Sequence, residues 1–166
     1  MAAQFSFDVT STIDFQEVDN ALNQARKEVA QRYDFKGAKA DLDLNAAEKK
    51  LTLTADDEFK MNALWEIVQT RLVRRGVPIK NFKAGDSTPS AGGTVRRVIE
   101  IQQGIPIEAA RDIVKFIKDQ KLKKVQAAIQ ADQLRITSAS KDDLQAVMHQ
   151  LRDHDFGVAL QFGNYR

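Results

Sequence analysis

The same order of secondary-structure signals occurs twice in this chain, and this repeat limits the folds that the chain can adopt. Each half predicts a strand, a long helix, a hairpin of two short strands, a second helix and a last strand. The clearest matching segments are residues 51–54 and 134–137, each an alternating strand followed by Asp-rich residues that begin a helix. The sequence therefore predicts two copies of one small domain.

A polar segment without an apolar period separates the two copies. Residues 85–93 include Gly85, Gly92 and Gly93, which is typical of a linker. We therefore expect a first domain at residues 1–84, a linker at 85–93 and a second domain at 94–166. A segment of this kind is expected to be exposed and sensitive to proteases.

The spacing of apolar residues assigns the elements of each copy. Alternation predicts strands at 5–11, 40–44, 50–54 and 77–82 in the first half and at 94–102, 125–130, 134–137 and 157–162 in the second. Helical spacing predicts two helices in each half, the first of them over residues 15–32. The order βαββαβ is that of the ferredoxin-like fold, an α+β fold with two helices on one face of a four-stranded antiparallel sheet. The prediction is two such domains in tandem.

Strand parity predicts which residues lie on the open face of each sheet, because alternate side chains point to opposite faces. The central strands of the first sheet are expected to present Asp8, Thr10, Thr52 and Thr54 on the open face, and those of the second sheet Val98, Glu100, Arg135 and Thr137. Phe82 is also expected on the open face of the first sheet. An RNA-recognition sheet needs aromatic rings at these central positions, and the sequence has none there. Arg96 and Arg135 are instead candidates for contacts with phosphate and a purine edge.

Composition narrows the functional classes. The 166 residues are 43% hydrophobic and 29% charged, as in soluble globular proteins, and the formal net charge of +2 argues against tight binding to nucleic acid through many phosphates. The absence of cysteine excludes thiolate metal sites, and His149 and His154 are five residues apart where a helical metal pair needs three or four. No apolar stretch approaches a membrane span, so a cytoplasmic protein is expected.

Three arginines, Arg71, Arg74 and Arg75, lie at the end of the second predicted helix. Two interpretations are open. Cations are favourable near the negative end of a helix dipole, and the same cluster would suit a phosphate site near the domain junction. The dipole alone accounts for the placement and is the favoured interpretation.

Several short segments carry a resemblance to a known family. They are Phe7-Asp8, Arg32-Tyr33-Asp34-Phe35-Lys36-Gly37, Lys124-Val125-Gln126-Ala127, Ile129-Gln130, Lys141-Asp142-Asp143-Leu144-Gln145 and Phe162-Gly163-Asn164-Tyr165-Arg166. Through these segments, which are spread over nearly its whole length, the chain resembles the bacterial YajQ family. The resemblance implies a cytoplasmic tandem of ribonucleoprotein-like domains that binds nucleotides, with purine nucleotides or cyclic di-GMP as ligands. It also implies that the two halves exchange their first strands.

Two of these segments, the turn at 32–37 and the terminal tail, are the best candidates for a binding site. Phe35 and Tyr165 are suited to stack on a purine, while Arg32, Lys36 and Arg166 are suited to contact phosphate. The candidate nucleotide-binding set is Arg32, Phe35, Lys36, Arg96, Arg135, Tyr165 and Arg166. In the alternative interpretation Phe35 packs in the core and the charges stay solvated.

The expected function is that of a non-enzymatic nucleotide-binding protein, an effector that binds cyclic di-GMP, GTP or ATP and requires no cofactor. It is expected to act by changing its shape or its partners, with a regulatory protein or RNA as the further partner. The alternative is an RNA-binding module, which the fold favours and the missing aromatic rings disfavour. An enzyme is disfavoured because the sequence has no cysteine nucleophile and no GxxxxGK[ST] phosphate loop.

Overall fold

The computed structural model describes residues 4–122 and 124–166, and within these ranges the chain forms four α-helices and nine strands. In chain order they are β1 (Phe5–Thr10), α1 (Phe15–Gln31), β2 (Ala40–Asn45), β3 (Lys50–Ala55), α2 (Glu58–Arg74), β4 (Phe82–Ala84), β5 (Thr88–Pro89), β6 (Val95–Ile101), α3 (Ile107–Asp119), β7 (Val125–Gln130), β8 (Gln133–Ser138), α4 (Lys141–Asp153) and β9 (Gln161–Gly163). None of the helices in the described ranges has both the length and the apolar character needed to cross a membrane.

The strands form two antiparallel sheets, and each sheet takes a central strand from the other half of the chain. One sheet has the order β7-β8-β1-β9, and the other has the order β2-β3-β6-β4 with β5 also paired to β6. We call them the β1 sheet and the β6 sheet. The order is that of the ferredoxin-like fold with the first strands exchanged, so the α+β class and the exchange are both confirmed.

The exchange changes the limits of the compact units. The β1 unit contains the described residues up to Thr12 together with Gln103–Arg166, and the β6 unit is Ile13–Gln102. These units do not follow the boundaries expected from the sequence, residues 1–84 and 94–166. The difference arises because β1 leaves the first half and β6 leaves the second.

Residues 85–93, expected to be an interdomain linker, lie inside the β6 unit. They connect β4 to β6, and backbone hydrogen bonds fix them at both ends. The amide of Gly85 donates to the carbonyl of Val98 at 3.0 Å, and that of Ser90 donates to Thr94 at 2.8 Å. The segment is mostly exposed, as predicted, but it is a loop on one sheet.

The exchanged strands supply core residues to the units they join. Phe7 and Val9 of β1 are buried with Leu134 and Ile136 of β8, while Ile99 of β6 is buried with Leu51 and Leu53 of β3. Alternation places these side chains on the helix-facing side of each sheet. Each buried aliphatic or aromatic side chain stabilises its unit by about 1.5–3 kcal/mol.

Polar contacts also distinguish β6 from β1. Arg97 of β6 donates through Nη2 to Glu58 Oε1 at 2.8 Å and to Asn62 Oδ1 at 3.1 Å, both on α2. Its side chain is only 12% exposed. The first strand has no basic residue, so β1 cannot make this contact in the β6 sheet.

The arginine cluster of α2 has a role that neither sequence interpretation gave. Arg71 bonds to Glu28 of α1 at 2.8 Å, and Arg75 bonds to Glu17 of α1 at 2.8 Å. Hydrogen bonding from Arg75 lowers the pKa of Glu17. Two of the three arginines therefore connect α1 to α2 and are not free to contact phosphate.

Two predicted strands begin later than expected. Residues Ile79–Asn81 form a turn of 3₁₀-helix, and the strand that follows them is Phe82–Ala84. Phe82 pairs with Ile101 and is 6% exposed, so the prediction that it lies on the open face is wrong. The last strand covers only Gln161–Gly163, where 157–162 was predicted.

The exchange predicts which fragment folds alone. Residues 13–102 contain all strands of the β6 sheet and both of its helices, so we expect this fragment to unfold cooperatively on heating, followed by circular dichroism. Residues 1–93 lack β6 and the Arg97 contacts, so we expect no cooperative transition. Equally cooperative unfolding of both fragments would show that β1 can replace β6.

Candidate functional site

The turn after α1 carries three of the predicted site residues and lies in the β6 unit. Arg32 is the C-terminal cap of α1 and forms a bidentate pair with Asp34, with nitrogen–oxygen distances of 2.9 and 2.8 Å. Hydrogen bonding within this pair raises the pKa of Arg32 and lowers that of Asp34. The guanidinium of Arg32 therefore already has a carboxylate partner two residues away.

Phe35, predicted as a stacking residue, packs in the core of the β6 unit. Its exposed fraction is 4%, and the cationic groups of Arg32 and Lys60 lie 5.6 and 5.3 Å from the centre of its ring. Lys60 also donates to the carbonyl of Asp34. The low exposure supports the alternative in which Phe35 packs in the core, because too little of the ring is accessible for a base to stack on it.

A cavity of about 380 Å³ opens beside this turn, between α1 and the edge strand β2. Its lining residues are Arg26, Val29, Ala30, Phe35, Lys36, Gly37, Ala38, Ala40, Leu42 and Leu64. Eight of the ten are apolar or glycine, and the other two are basic. Gly37, with φ of 74°, allows the chain to turn at the cavity wall.

Arg26 is the basic residue that sequence reasoning missed. Its Nη2 donates to the carbonyl of Leu42 at 2.7 Å, and its Nη1 donates to Asn23 Oδ1 at 2.8 Å. A guanidinium has five N–H donors, so these two bonds orient the group and leave donors free. Within the described ranges no carboxylate pairs with Arg26. The available signal was its place four residues after Leu22, at the border of the apolar stripe of α1.

Lys36 is exposed at the cavity, and its ammonium group has no hydrogen bond or ion pair among the described residues. Only its backbone is fixed, since the Lys36 amide donates to the carbonyl of Tyr33 at 3.1 Å. The cavity therefore combines an oriented guanidinium and a free ammonium with an apolar wall.

In the β1 unit, Arg135 pairs with a buried carboxylate. Arg135 Nε donates to Asp8 Oδ1 at 3.0 Å, and Asn164 Nδ2 donates to Asp8 Oδ2 at 2.7 Å. Asp8 is 7% exposed, and the hydrogen bonds from Arg135 and then Asn164 hold its pKa below the usual value. Arg135 thus joins the exchanged strand β1 to β8.

The terminal tail continues the edge of the β1 sheet past β9. Asp8 pairs with Gly163, and Ser6 and Arg166 exchange two backbone hydrogen bonds of 3.0 Å. Asn164 and Tyr165 therefore lie opposite a single residue of β1, which makes a β-bulge. Asn164 has a φ of 52° in this bulge. Tyr165 is 62% exposed. The adjoining groove of about 80 Å³ is too small for a nucleotide.

Arg96 is exposed on β6, opposite Thr54 and Thr88. No charged partner of Arg96 lies in the described ranges. The central open-face positions beside it hold Thr52 and Val98, so this face has no stacking ring, as the sequence predicts.

The predicted site residues thus fall into two groups. Arg32, Phe35, Lys36 and Arg96 belong to the β6 unit, and Arg135, Tyr165 and Arg166 belong to the β1 unit. A single site made of the turn and the tail stays a prediction. Within the described residues, no group of His, Cys, Asp or Glu side chains is placed to hold a metal ion.

Comparison with known proteins gives consistent matches over the chain. A family model described as "Nucleotide-binding protein YajQ-like" matches residues 5–166. A protein of Carboxydothermus hydrogenoformans is 46% identical over 166 residues, covering all of both chains, and one of Elusimicrobium minutum is 46% identical over 164 residues, covering 99% of each. A protein of Solibacter usitatus is 48% identical over 161 residues, 97% of this chain and 96% of its own. Each of the three is named a nucleotide-binding protein.

The Asp8 contacts predict a stability that depends on pH. Asp8→Asn removes the charge that holds Arg135, and we expect it to cost about 1–3 kcal/mol of unfolding free energy at pH 7. Because the folded pKa is depressed, this contribution is present above the ordinary pKa of about 3.9 and is lost as the pH falls through the folded value. Urea titrations at pH 7 and pH 3 measure it.

The matched control is Asp43→Asn on the exposed side of β2, which should change stability by less than about 0.5 kcal/mol at both pH values. If the difference between wild type and Asp8→Asn is the same at pH 3 as at pH 7, the ion pair is not the source of the effect.

Proposed function

The chain belongs to the YajQ-like family of nucleotide-binding proteins, and we propose that it binds a nucleotide in the cavity between α1 and β2. The observation that carries the proposal is the pair of basic groups without carboxylate partners in the described ranges, Arg26 and Lys36, at an apolar cavity. In contrast, Arg32, Arg71 and Arg135 already form ion pairs.

The phosphate of the ligand would contact Arg26 and Lys36. Hydrogen bonds between a guanidinium or an ammonium and a phosphate oxygen are about twice as strong as neutral ones. The bonds from Arg26 to Leu42 and Asn23 fix the guanidinium before the ligand arrives, which reduces the entropy that binding must overcome.

The base and ribose would lie along the apolar wall formed by Val29, Ala30 and Leu42. A cavity of about 380 Å³ is near the lower end of the range for small-ligand sites, about 300–1,000 Å³. A cavity of this size favours a purine mononucleotide such as GTP or ATP. It would hold one half of cyclic di-GMP and leave the other half outside.

The proposed activity is binding without catalysis. The cavity lining has no carboxylate, imidazole or hydroxyl side chain that could activate a water molecule or hold Mg²⁺. Such a protein acts by a change in its shape or its partners when the nucleotide binds. The regulatory protein partner and the cytoplasmic location stay predictions.

RNA is the second candidate ligand, and the exposed Arg96 on the open β6 face is the feature that favours it. The two ligands differ in their response to salt. Binding of a short RNA through several phosphates weakens steeply as the salt concentration rises, while binding of a mononucleotide weakens less.

The test is calorimetric titration of GTP, ATP and cyclic di-GMP into three variants. We expect Arg26→Gln and Lys36→Ala each to lose a charge-assisted contact of about 1.5–3 kcal/mol, or about ten- to a hundredfold in affinity. Ala30→Leu, at an exposed position of α1 that lines the cavity, should weaken binding by filling space.

The matched control is Arg74→Gln, an exposed arginine of α2 that does not line the cavity. Its affinity should equal that of the wild type. Full affinity in Arg26→Gln and Lys36→Ala together with a loss in Arg166→Ala would move the site to the tail. A loss only in Arg96→Ala with steep salt dependence would favour RNA.

A further inference from the structure

Strand β7 is an edge strand without the features that usually protect an edge. Its sequence, Val125-Gln126-Ala127-Ala128-Ile129-Gln130, has no charge, no proline and no glycine. It pairs with β8 on one side, and no other described strand pairs with it. An edge of this kind has free backbone groups that can pair with another strand.

The other edges of the two described sheets are protected. β2, which occupies in the β6 sheet the place that β7 occupies in the β1 sheet, carries Asp41 and Asp43 on its outward side. β4 and β9 have three residues each, β4 carries Lys83, and β9 continues into the bulge at Asn164. The equivalent edge strand is therefore charged in one unit and uncharged in the other. For this reason β2 can serve as a control for experiments on β7.

Exposure of β7 is consistent with an unoccupied edge. Gln126, Ala128 and Gln130 are exposed on the open face. Ile129 pairs with the buried Leu134 and therefore lies on the helix-facing side, yet 38% of its surface is exposed. Val125 and Ala127, on the same side of β7, are partly buried, so Ile129 is the most exposed apolar residue on that side of the strand.

We propose that β7 pairs with β7 of a second copy of this chain, antiparallel about a two-fold axis at Ala128. Residues that face each other across two strands lie on the same side of the sheet, so this axis places Gln126 opposite Gln130 of the second copy on the open face. On the helix-facing side it places Ala127 opposite Ile129, and the exposed isoleucine gains an apolar neighbour. The two sheets become one sheet of eight strands.

Charge complementarity selects a second copy in this orientation. Lys124 directly precedes β7, and Asp132 lies in the two-residue turn that follows β7, with its side chain beside Gly104. Both residues are exposed, and neither forms an ion pair within the described ranges. Antiparallel pairing about Ala128 brings the end of each strand that carries the lysine to the turn of the other copy that carries the aspartate, twice by symmetry. Parallel pairing would bring like charges together. The inference is independent of the nucleotide site.

The first test uses the absence of cysteine from the chain. Ala128→Cys places one thiol on the axis, and cross-strand Cα distances of about 4.5–5.5 Å match those that a disulfide spans. We expect mild oxidation of Ala128→Cys to give a covalent dimer, seen on a non-reducing gel. Asp43→Cys, on the equivalent edge strand β2, should stay a monomer. Equal cross-linking of both variants, or none of Ala128→Cys, would overturn the proposal.

The second test measures the dimer without a cross-link, by sedimentation of the full chain over a range of concentrations. The wild type should reach twice the mass of one chain, and Ala128→Asp, which places two carboxylates opposite each other, should raise the dissociation constant at least about tenfold. Lys124→Asp alone should also weaken the dimer, and Lys124→Asp with Asp132→Lys should restore it. The pairing is refuted if the wild type stays monomeric or if these substitutions leave the dissociation constant of the dimer unchanged. Circular dichroism of each variant checks that it is folded.

Discussion

Each sheet of this protein depends on a central strand that comes from the other half of the chain. A central strand forms hydrogen bonds on both sides and buries its inner side chains, so neither sheet is complete without the exchange. Each exchanged strand also forms one ion pair within the unit that it joins. Asp8 of β1 pairs with Arg135 of β8, and Arg97 of β6 pairs with Glu58 of α2. The chain therefore passes from one unit to the other twice, near residues 12 and 102. The loop at 85–93 lies within one unit.

The use of charge in the fold limits where a ligand can bind. Arg32, Arg71, Arg75 and Arg135 each bond to a carboxylate, and these pairs fix a turn, two helices and an exchanged strand. An arginine of this kind must give up its partner before it can contact phosphate. Arg26 differs because its two hydrogen bonds go to neutral oxygens, so its positive charge remains uncompensated. This difference, more than the cavity alone, supports the site beside α1.

The sequence predicted the repeat, the fold class and most elements, because alternation and helical spacing report burial directly. It could not assign β1 and β6 to sheets, since both strands alternate in the same way; only the family resemblance implied the exchange. Phe35 and Tyr165 were equivalent candidates in the sequence, yet one is buried and the other exposed, because burial depends on contacts distant in the chain. Arg26 was missed because an arginine at the border of an apolar stripe is expected to be solvated.

An NMR titration of the ¹⁵N-labelled protein with GTP tests the proposed nucleotide site between α1 and β2 residue by residue. We expect the largest amide shift changes at residues 36–40, with the Arg26 side-chain signal changing at the same ligand concentrations. Amides 163–166 of the tail should change little. If the largest changes occur at 163–166 and residues 36–40 are unaffected, the nucleotide binds at the tail and not in this cavity.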